Sequence, residues 1–252
     1  MAAAIELKGV VVKLGGEIIF QNVNLQINHG DMMVIIGPSG AGKTVLLKTM
    51  AGVILPSAGQ VFCEGEEWQN LQSEKKRKLA QKIGVQFQKG GLFDSFSVFE
   101  NVAFPLREHH PEYTNEQIAE MVRACLEAVD LIAAKDRLPH EISGGMQLRL
   151  GIARAVVMNP EIVFYDDVNA GLDPVNSDRI VDLVLRLKQK NESTVVVVTN
   201  DLRTAYRLAG RIVLVGNKEV IETGNAEETK NSKNPCVRQF LEGRREGPLH
   251  WG

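Results

Sequence analysis

Hydrophobic and polar positions alternate along the first part of the chain in the way that strands do. The runs IELKGVVVKL and EIIFQNVNLQI, residues 5–14 and 17–27, predict a β-hairpin that turns at Gly15 and Gly16. The next run, DMMVIIG, is apolar and ends in glycine, which is typical of a strand buried on both faces. Apolar residues in GKTVLLKTMAGV then take helical spacing, and PSAGQVFCEGEEW returns to short strands and turns.

The middle of the chain is richer in helical patterns. Thr114 is a candidate N-cap for the segment TNEQIAEMVRACLEAVDL, and MQLRLGIARAVV is a second helix candidate. One apolar face of the first helix consists of Ile118, Met121, Val122, Cys125 and Val129.

Apolar runs return after this middle region. The runs EIVFYDD, STVVVVTND and RIVLVG follow, and the helical stretch VNSDRIVDLVLRLKQK lies between the first two. Strands that alternate with helices favour an α/β fold with a parallel sheet and crossover helices. The helix-rich middle is therefore interpreted as an inserted lobe.

Composition narrows the function classes. A chain of 252 residues fits one domain, or one domain with an inserted lobe, and a net charge of −2 gives no reason to expect nucleic-acid binding. Cys63, Cys125 and Cys236 are scattered, which favours reduced, inert thiols and a reducing compartment. The opening residues do not resemble a secretion signal. No run of about 18 apolar residues is present, so at a membrane another chain would carry the spans.

The segment GPSGAGKT fulfils the pattern GxxxxGK[ST]. Its residues are Gly37, Pro38, Ser39, Gly40, Ala41, Gly42, Lys43 and Thr44. In such a loop the backbone N–H groups and the following helix N-terminus bind phosphate oxygens. Lys43 is then expected to reach the β- and γ-phosphates, and Thr44 to ligate Mg²⁺. A chance glycine-rich turn is the alternative, and the buried strand before the loop and the helix after it argue against that.

Two adjacent carboxylates, Asp166 and Asp167, end the apolar run IVFYDD. The carboxyl edge of the sheet faces the nucleotide in phosphate-loop folds. Asp166 is therefore predicted to hold Mg²⁺ beside Thr44, directly or through water, and Asp167 to orient or deprotonate the attacking water. The alternative is that one of them is a solvated strand end or a helix cap.

The segment ISGGMQLRLGIARAVVMNPEIVFYDD resembles the signature segment and Walker B strand of ATP-binding-cassette (ABC) ATPases. This resemblance implies a phosphate-loop nucleotide-binding domain with an antiparallel β subdomain and an inserted α-helical lobe. The core is then residues 1–88 and 159–225, the lobe is 89–158, and 226–252 is a C-terminal extension.

The same resemblance implies ATP, Mg²⁺ and a head-to-tail homodimer. The residues expected to hold the γ-phosphate of the partner protomer's ATP are Ser143, Gly144 and Gly145, at the start of a helix. Gln88 matches the Q-loop glutamine, which senses Mg²⁺ and the attacking water. Asp173, in AGLDP, matches the D-loop residue that reaches across the dimer.

Two further segments, GGLFDSFSVFENVAFPLREH and NPCVRQFLEGRREGP, resemble the ATPase subunits of Mla-type phospholipid transport systems. That likeness implies a multi-span permease, an MCE-domain lipid-binding protein and, in some systems, a small STAS-domain partner. It places the chain on the cytoplasmic face of the bacterial inner membrane. Phe93, Phe96 and Phe99 are candidates for the permease groove, or else pack in the lobe itself.

The chain departs from the family pattern at three positions. Asp167 stands where the family has a longer glutamate, so its carboxylate falls about 1.5 Å short if the backbone is unchanged. Asn200 replaces the switch histidine and cannot carry a proton. Leu14, or alternatively Val12, stands where the family has the aromatic residue that stacks on adenine. Our hypothesis is a functional but slow ATPase.

Two alternatives stay open: a soluble assembly-type cassette, and an ATP-gated dimerisation module with little hydrolysis. For the final segment, VRQFLEGRREGPLHW, the alternatives are an arm that reaches the neighbouring protomer and a frayed terminus. The spacing of Val237, Phe240 and Leu241 predicts at least one buried helical turn there.

Overall fold

The computed structural model describes residues 3–88, 91–169 and 171–250. The strands of the described residues, numbered β1 to β10 in chain order, are Ile5–Leu14, Glu17–Ile27, Met32–Ile36, Ala58–Cys63, Glu66–Glu67, Ile83–Gln86, Ile162–Asp166, Thr194–Val198, Arg211–Gly216 and Glu219–Gly224. Their α-helices, α1 to α9, are Lys43–Met50, Ser73–Gln81, Val98–His109, Asn115–Ala128, Gly144–Val156, Pro174–Asn191, Leu202–Leu208, Ala226–Lys230 and Pro235–Glu242.

The chain divides by packing into two compact units. The first comprises Met1–Leu79 and Ser193–Gly252, and the second comprises Ala80–Glu192. These limits differ from the boundaries at residues 88, 158 and 225 that we predict from the sequence for the core, the lobe and the extension, and those stay predictions. Within the described residues, no helix combines the length and the apolar character needed to cross a membrane.

The first unit contains an antiparallel sheet with the strand order β2-β1-β4-β5. The predicted hairpin is confirmed, since β1 pairs with β2 from Ile5–Ile27 to Leu14–Glu17. Its turn uses glycines with φ of 57° and 87°, a left-handed backbone that favours glycine. Alternating burial along β1 changes phase between Leu7 and Val10, where the pairing register shifts as it does at a β-bulge.

The first unit also contains four strands in the order β10-β9-β3-β8, with β3 parallel to both β8 and β9. Every residue of β3 is buried, as the apolar run predicts. Because parallel strands end at one edge of a sheet, the segments after β3 and β8 leave the same edge. The phosphate loop and Asn200 therefore follow neighbouring strand ends.

The second unit contains the parallel pair β6 and β7, with Gln86 opposite Tyr165. All residues of β7 are buried. The carboxyl ends of these two strands bring Gln88 and Asp166–Asp167 to one edge, and the helices α3 to α6 belong to the same unit.

The predicted cap of α4 is confirmed. Thr114 accepts a hydrogen bond from Gln117 N at 3.3 Å, and the Gln117 side chain accepts one from Thr114 N at 2.8 Å. On the predicted apolar face, Ile118, Val122 and Val129 are buried, whereas Met121 and Cys125 are partly exposed. Leu126, which the predicted face omits, is fully buried as well.

Candidate functional site

The phosphate loop has a backbone that only glycine fits at two positions. Gly37 has φ of 148°, and a Cβ added there would overlap the backbone carbonyl oxygen of Val215. Gly42 has φ of 95°, and its added Cβ would lie 2.7 Å from Ile19 Cγ2. Side chains are thus excluded at these two positions, where the backbone can approach a bound anion closely.

Lys43 is buried at the start of α1, with its ammonium turned back onto the loop. Its Nζ donates to the carbonyl oxygens of Gly37 at 2.9 Å and Pro38 at 2.7 Å. Thr44 is half-buried in the first turn of the same helix. Gly42, the N-cap, provides no side-chain cap, and the first turn has no acidic residue. The positive end of α1 is therefore directed at the loop, and this cradle fits a polyphosphate.

The end of β8 carries the predicted H-loop position. Thr199 is buried, donates its backbone N–H to Ile35 O at 3.1 Å, and accepts a hydrogen bond from Asp201 N through Oγ1. Asp201 caps α7 through the backbone N–H groups of Arg203 and Thr204. Asn200 lies between these two fixed residues and is exposed, so its amide is available at the edge where the phosphate loop begins.

The two aspartates at the acidic edge of the second unit lie in different environments. Asp166, the last residue of β7, is 1% exposed, whereas Asp167 is half-buried. Asp167 has φ of 57°, a left-handed backbone that non-glycine residues rarely adopt. Gln88 Nε2 lies 3.4 Å from Asp167 Oδ2, so the Q-loop position and the catalytic-acid position are neighbours.

The predicted ligands of Mg²⁺ are the Thr44 hydroxyl, the Gln88 side chain and the Asp166 carboxylate. All three supply hard oxygen atoms, which Mg²⁺ prefers together with water and substrate phosphates. In the described residues, no group of three or more His, Cys, Asp or Glu side chains could hold a metal. Each of these three donors is thus chemically suited to Mg²⁺, and their binding of one common ion stays a prediction.

The signature residues lie at the N-terminus of α5. Ser143 is the N-cap and its Oγ accepts a hydrogen bond from Met146 N at 3.3 Å. A Cβ added at Gly144 would meet no heavy atom within 4 Å, and one at Gly145 would lie 3.6 Å from Leu172 Cδ2. This helix end is thus open. Beside it is a cavity of about 500 Å³ that Ser143, Gly145 and Arg149 help to line.

Asp173 has a structural role within its own helix. Its Oδ1 accepts from Val175 N at 3.0 Å and Asn176 N at 3.1 Å, and its Oδ2 accepts from Asn176 Nδ2 at 2.5 Å. The hydrogen bonds from Asn176, with that from Val175, hold the pKa of Asp173 below its usual value. Asp173 is therefore the N-cap of α6, and its contact across a dimer stays a prediction.

A groove of about 380 Å³ lies on the second unit, and its walls are mostly apolar. Phe93 lines it and is 38% exposed, whereas docking of a permease there stays a prediction. Phe93 also contacts Phe96 and Phe104, at ring centroid distances of 5.1 and 4.7 Å. Phe99, the third predicted aromatic, is half-buried. Exposure and internal packing therefore coexist at Phe93.

Two residues that the sequence analysis did not single out shape this groove. Asn101 is fully buried, and its side chain accepts from Phe93 N at 2.9 Å and donates to the carbonyl oxygens of Phe93, Phe96 and Ser97. Arg154 lies 5.3 Å from the Phe93 ring centroid, and burial lowers the pKa of its guanidinium. In the sequence, Asn101 could have been identified as a lone polar residue on an apolar helical face.

Leu14, the predicted contact of the nucleotide base, is the last residue of β1. It is 40% exposed. A cavity of about 440 Å³ borders the phosphate loop at Gly40 and Ala41, and among the described residues Leu14 is not part of its lining.

Comparisons with known proteins agree with this geometry. A family model described as "ABC transporter" matches residues 20–170. The chain is 35% identical to "Intermembrane phospholipid transport system ATP-binding protein MlaF" of Haemophilus influenzae, over 98% of this chain and 93% of that protein. It is 36% identical to "Probable ribonucleotide transport ATP-binding protein mkl" of Mycobacterium leprae, over 99% of this chain and 72% of that protein.

Among solved structures, the dimeric ATP-binding cassette MJ0796 in a post-hydrolysis state bound to ADP and Pi is similar. It matches with a TM-score of 0.81 and 32% identity, covering 87% of this chain and 98% of that one. Fold, phosphate loop, signature helix and sequence agree, and the chain belongs to the ABC transporter family as an ATP-binding cassette.

Proposed function

We propose that this chain is the ATP-hydrolysing subunit of a phospholipid transporter in the bacterial envelope. The observation that carries the proposal is the phosphate loop, with its glycine-only backbone and the Lys43 ammonium against the loop carbonyls. The cargo class is supported by the Haemophilus influenzae relative, whose name specifies phospholipid transport and whose length this chain covers to 93%. The relative named for ribonucleotide transport is covered to only 72%.

In this proposal, different residues of the chain have separate roles at the reacting phosphate. The loop N–H groups and Lys43 hold the β- and γ-phosphates. Thr44, Asp166 and the Gln88 side chain would hold Mg²⁺, which would neutralise charge that develops on the phosphates. Asp167 accepts a proton from the attacking water, and Gln88, 3.4 Å away, orients that water. Asn200 donates a hydrogen bond to the γ-phosphate.

The active assembly in this proposal is a head-to-tail homodimer. The open N-terminus of α5, with Ser143, Gly144 and Gly145, is a second anion site in addition to the phosphate loop. Placed against the γ-phosphate of the partner's ATP, it would make nucleotide and dimer bind together. The dimeric state of the cassette MJ0796 supports this arrangement.

Hydrolysis is expected to be slow but real. Asp167 is one methylene shorter than the family's acid, and small positioning errors in a catalytic group lower rates by about 100-fold. Asn200 donates a hydrogen bond but carries no charge. Lys43, Thr44, Asp166 and Ser143 retain the electrostatic and positioning parts of phosphoryl transfer. The chain is thus expected to turn over ATP slowly rather than only to bind it.

The groove at Phe93 is the proposed docking site for a multi-span permease. Its mixture of exposed aromatic surface and a half-buried guanidinium, that of Arg154, fits a short amphipathic segment. Docking there would hold the chain on the cytoplasmic face of the inner membrane. An MCE-domain lipid-binding protein and, in some systems, a small STAS-domain protein complete the proposed assembly.

The test uses the chain co-expressed with its permease and reconstituted in liposomes of defined phospholipids. We expect ATP-dependent phospholipid transfer, abolished by Lys43→Ala and unchanged by Lys75→Ala. Lys75 is an exposed lysine whose ion pair with Glu66 lies at the surface and contributes little to stability. Phe93→Ser should reduce co-purification with the permease. Transport of ribonucleotides without lipid transfer would contradict the proposed cargo.

A further inference from the structure

The cavity of about 440 Å³ beside the phosphate loop is closed on one side by a distant part of the chain. Ile18 and Ile19 of β2 and the loop residues Gly40 and Ala41 line it, together with Asn217 and His250. The backbone N–H of Gln21 donates to Lys218 O at 2.9 Å, which ties the β9–β10 turn to β2. Residues more than 200 positions apart in the chain thus share one cavity at the nucleotide loop.

Residues 247–250, here called the clamp segment, are anchored by Gln239 and Asn217. The buried Gln239 side chain accepts from Leu249 N at 2.6 Å and donates to Leu249 O at 3.1 Å. Asn217 donates to Pro248 O at 2.7 Å and accepts from His250 N at 3.0 Å. Neither amide is left for a ligand, because each is used on the backbone of the clamp segment.

Leu249 adds an apolar anchor to these polar contacts. It is 2% exposed, and a Cβ added at Gly216 would overlap its Cδ2. The glycine at the end of β9 therefore makes room for this side chain. Described residues 247–250 are therefore not frayed, since Asn217 and Gln239 hold their backbone, and a contact of this segment with the neighbouring protomer stays a prediction. With Leu249 and both amides in place, the backbone of His250 is held at the cavity that this residue helps to line.

The cavity has the chemistry that a nucleotide base needs. A base presents a flat π face and is held best by an aromatic ring or by apolar contact. Ile18 and Ile19 supply apolar contact, and His250 is the only aromatic ring among the described residues that line the cavity. Leu14 has no π face and is not among the described residues that line the cavity. Since the cavity borders Gly40 and Ala41, a nucleotide with its phosphates on the loop has its base within reach of this cavity.

We propose that His250 is the base-contacting residue of this cassette, and that Asn217 and Gln239 are the residues that position it. The inference rests on the proposed function, because it assumes that the phosphate loop binds ATP. The ring of His250, from the clamp segment of the same protomer, then takes the place of the aromatic ring that Leu14 lacks. Nucleotide affinity is thereby linked to whether that segment is docked.

The test compares two ligands that share a phosphate chain and differ in the base. Calorimetric dissociation constants for ATP and for inorganic tripolyphosphate, each with Mg²⁺, are measured on the full chain. Base–aromatic stacking contributes about 1–3 kcal/mol, so His250→Ala should weaken ATP binding by about tenfold and leave tripolyphosphate binding unchanged. His250→Phe, which keeps a ring, should retain ATP affinity. Asn217→Ala should reproduce the selective loss by releasing the clamp segment.

His140→Ala, an exposed histidine in the other unit, is the matched control and should bind both ligands like the wild type. Because His250 is exposed, its substitution does not remove a core side chain. Unchanged ATP affinity in His250→Ala, or an equal loss for both ligands, would overturn the inference alone. A wild-type chain that binds neither ligand would overturn the proposed function together with it.

Discussion

The side-chain amide of Gln88 lies 3.4 Å from the carboxylate of Asp167, at the adjoining ends of β6 and β7. Asp167 reaches this position with a left-handed backbone, φ 57°. The contact links the residue expected to sense Mg²⁺ with the residue expected to activate water. A carboxylate held by this amide but one methylene shorter than the family's acid has less reach toward a water molecule.

Asp167→Asn should lower steady-state phosphate release from the assembled transporter by about 100-fold, the usual contribution of a general base. Asp167→Glu should raise the rate above the wild type, because the added methylene restores reach. Glu161→Gln is the matched control, since Glu161 lies beside the start of the same strand and forms a surface ion pair with Lys82. A wild-type rate in Asp167→Asn would show that Asp167 is not the base.

Gly37→Ala should destabilise the fold by about 3 kcal/mol, since the new Cβ meets backbone that cannot move aside and φ is 148°. Gly40→Ala in the same loop has φ of 78° and open space around its Cβ, so its cost should be only about 1 kcal/mol. Urea unfolding measures both. Equal costs would mean that backbone conformation alone, and not the Val215 carbonyl, restricts residue 37.

Asn101→Ala should cost about 3 kcal/mol, because it removes a fully buried amide and leaves several loop backbone groups without their partner. The loop that carries Phe93 should loosen, and co-purification with the permease should fall. Asn115→Ala, at the exposed first residue of α4, is the control and should change neither property. Full stability of Asn101→Ala would contradict the structural role that we assign to this amide.

The three thiols should differ in reactivity with a thiol reagent at pH 8. Burial raises the pKa of Cys125 to about 12, so only about one molecule in 10,000 carries the thiolate at that pH. Its Sγ donates to Ala153 O at 3.3 Å, and Cys63 is fully buried. Because a raised pKa depletes the thiolate, labelling of Cys125 should increase about tenfold for each unit of pH between 8 and 11.

Cys236, which is partly exposed, should react first in the native protein, and Cys236→Ser should remove the fast phase. At pH 8, Cys63 and Cys125 should react readily only in denaturant. Peptide mapping by mass spectrometry identifies the labelled positions, and rapid native labelling of Cys125 at pH 8 would contradict the raised pKa of its thiol.

Much of this molecule follows from local sequence. The hairpin at Gly15–Gly16, the buried strand before Gly37 and the cap at Thr114 were predictable, because alternation, apolar runs and capping depend on neighbours within a few residues. The phosphate loop was predictable for the same reason. Its glycines, lysine and threonine lie within eight consecutive positions, so a motif alone specifies the chemistry.

The tertiary structure decided what depends on distant parts of the chain. Gln88 and Asp167 are 79 positions apart, and only the parallel pairing of β6 with β7 brings their side chains together. Asp173 follows a D-loop pattern, yet its oxygens bind its own helix. His250 lies in no motif. Its place at the cavity that Gly40 also lines depends on the side-chain amides of Gln239 and Asn217, and on Gly216, which leaves room for Leu249. Periodicity and motifs encode local geometry, whereas such contacts arise only when long loops close and packing selects one arrangement.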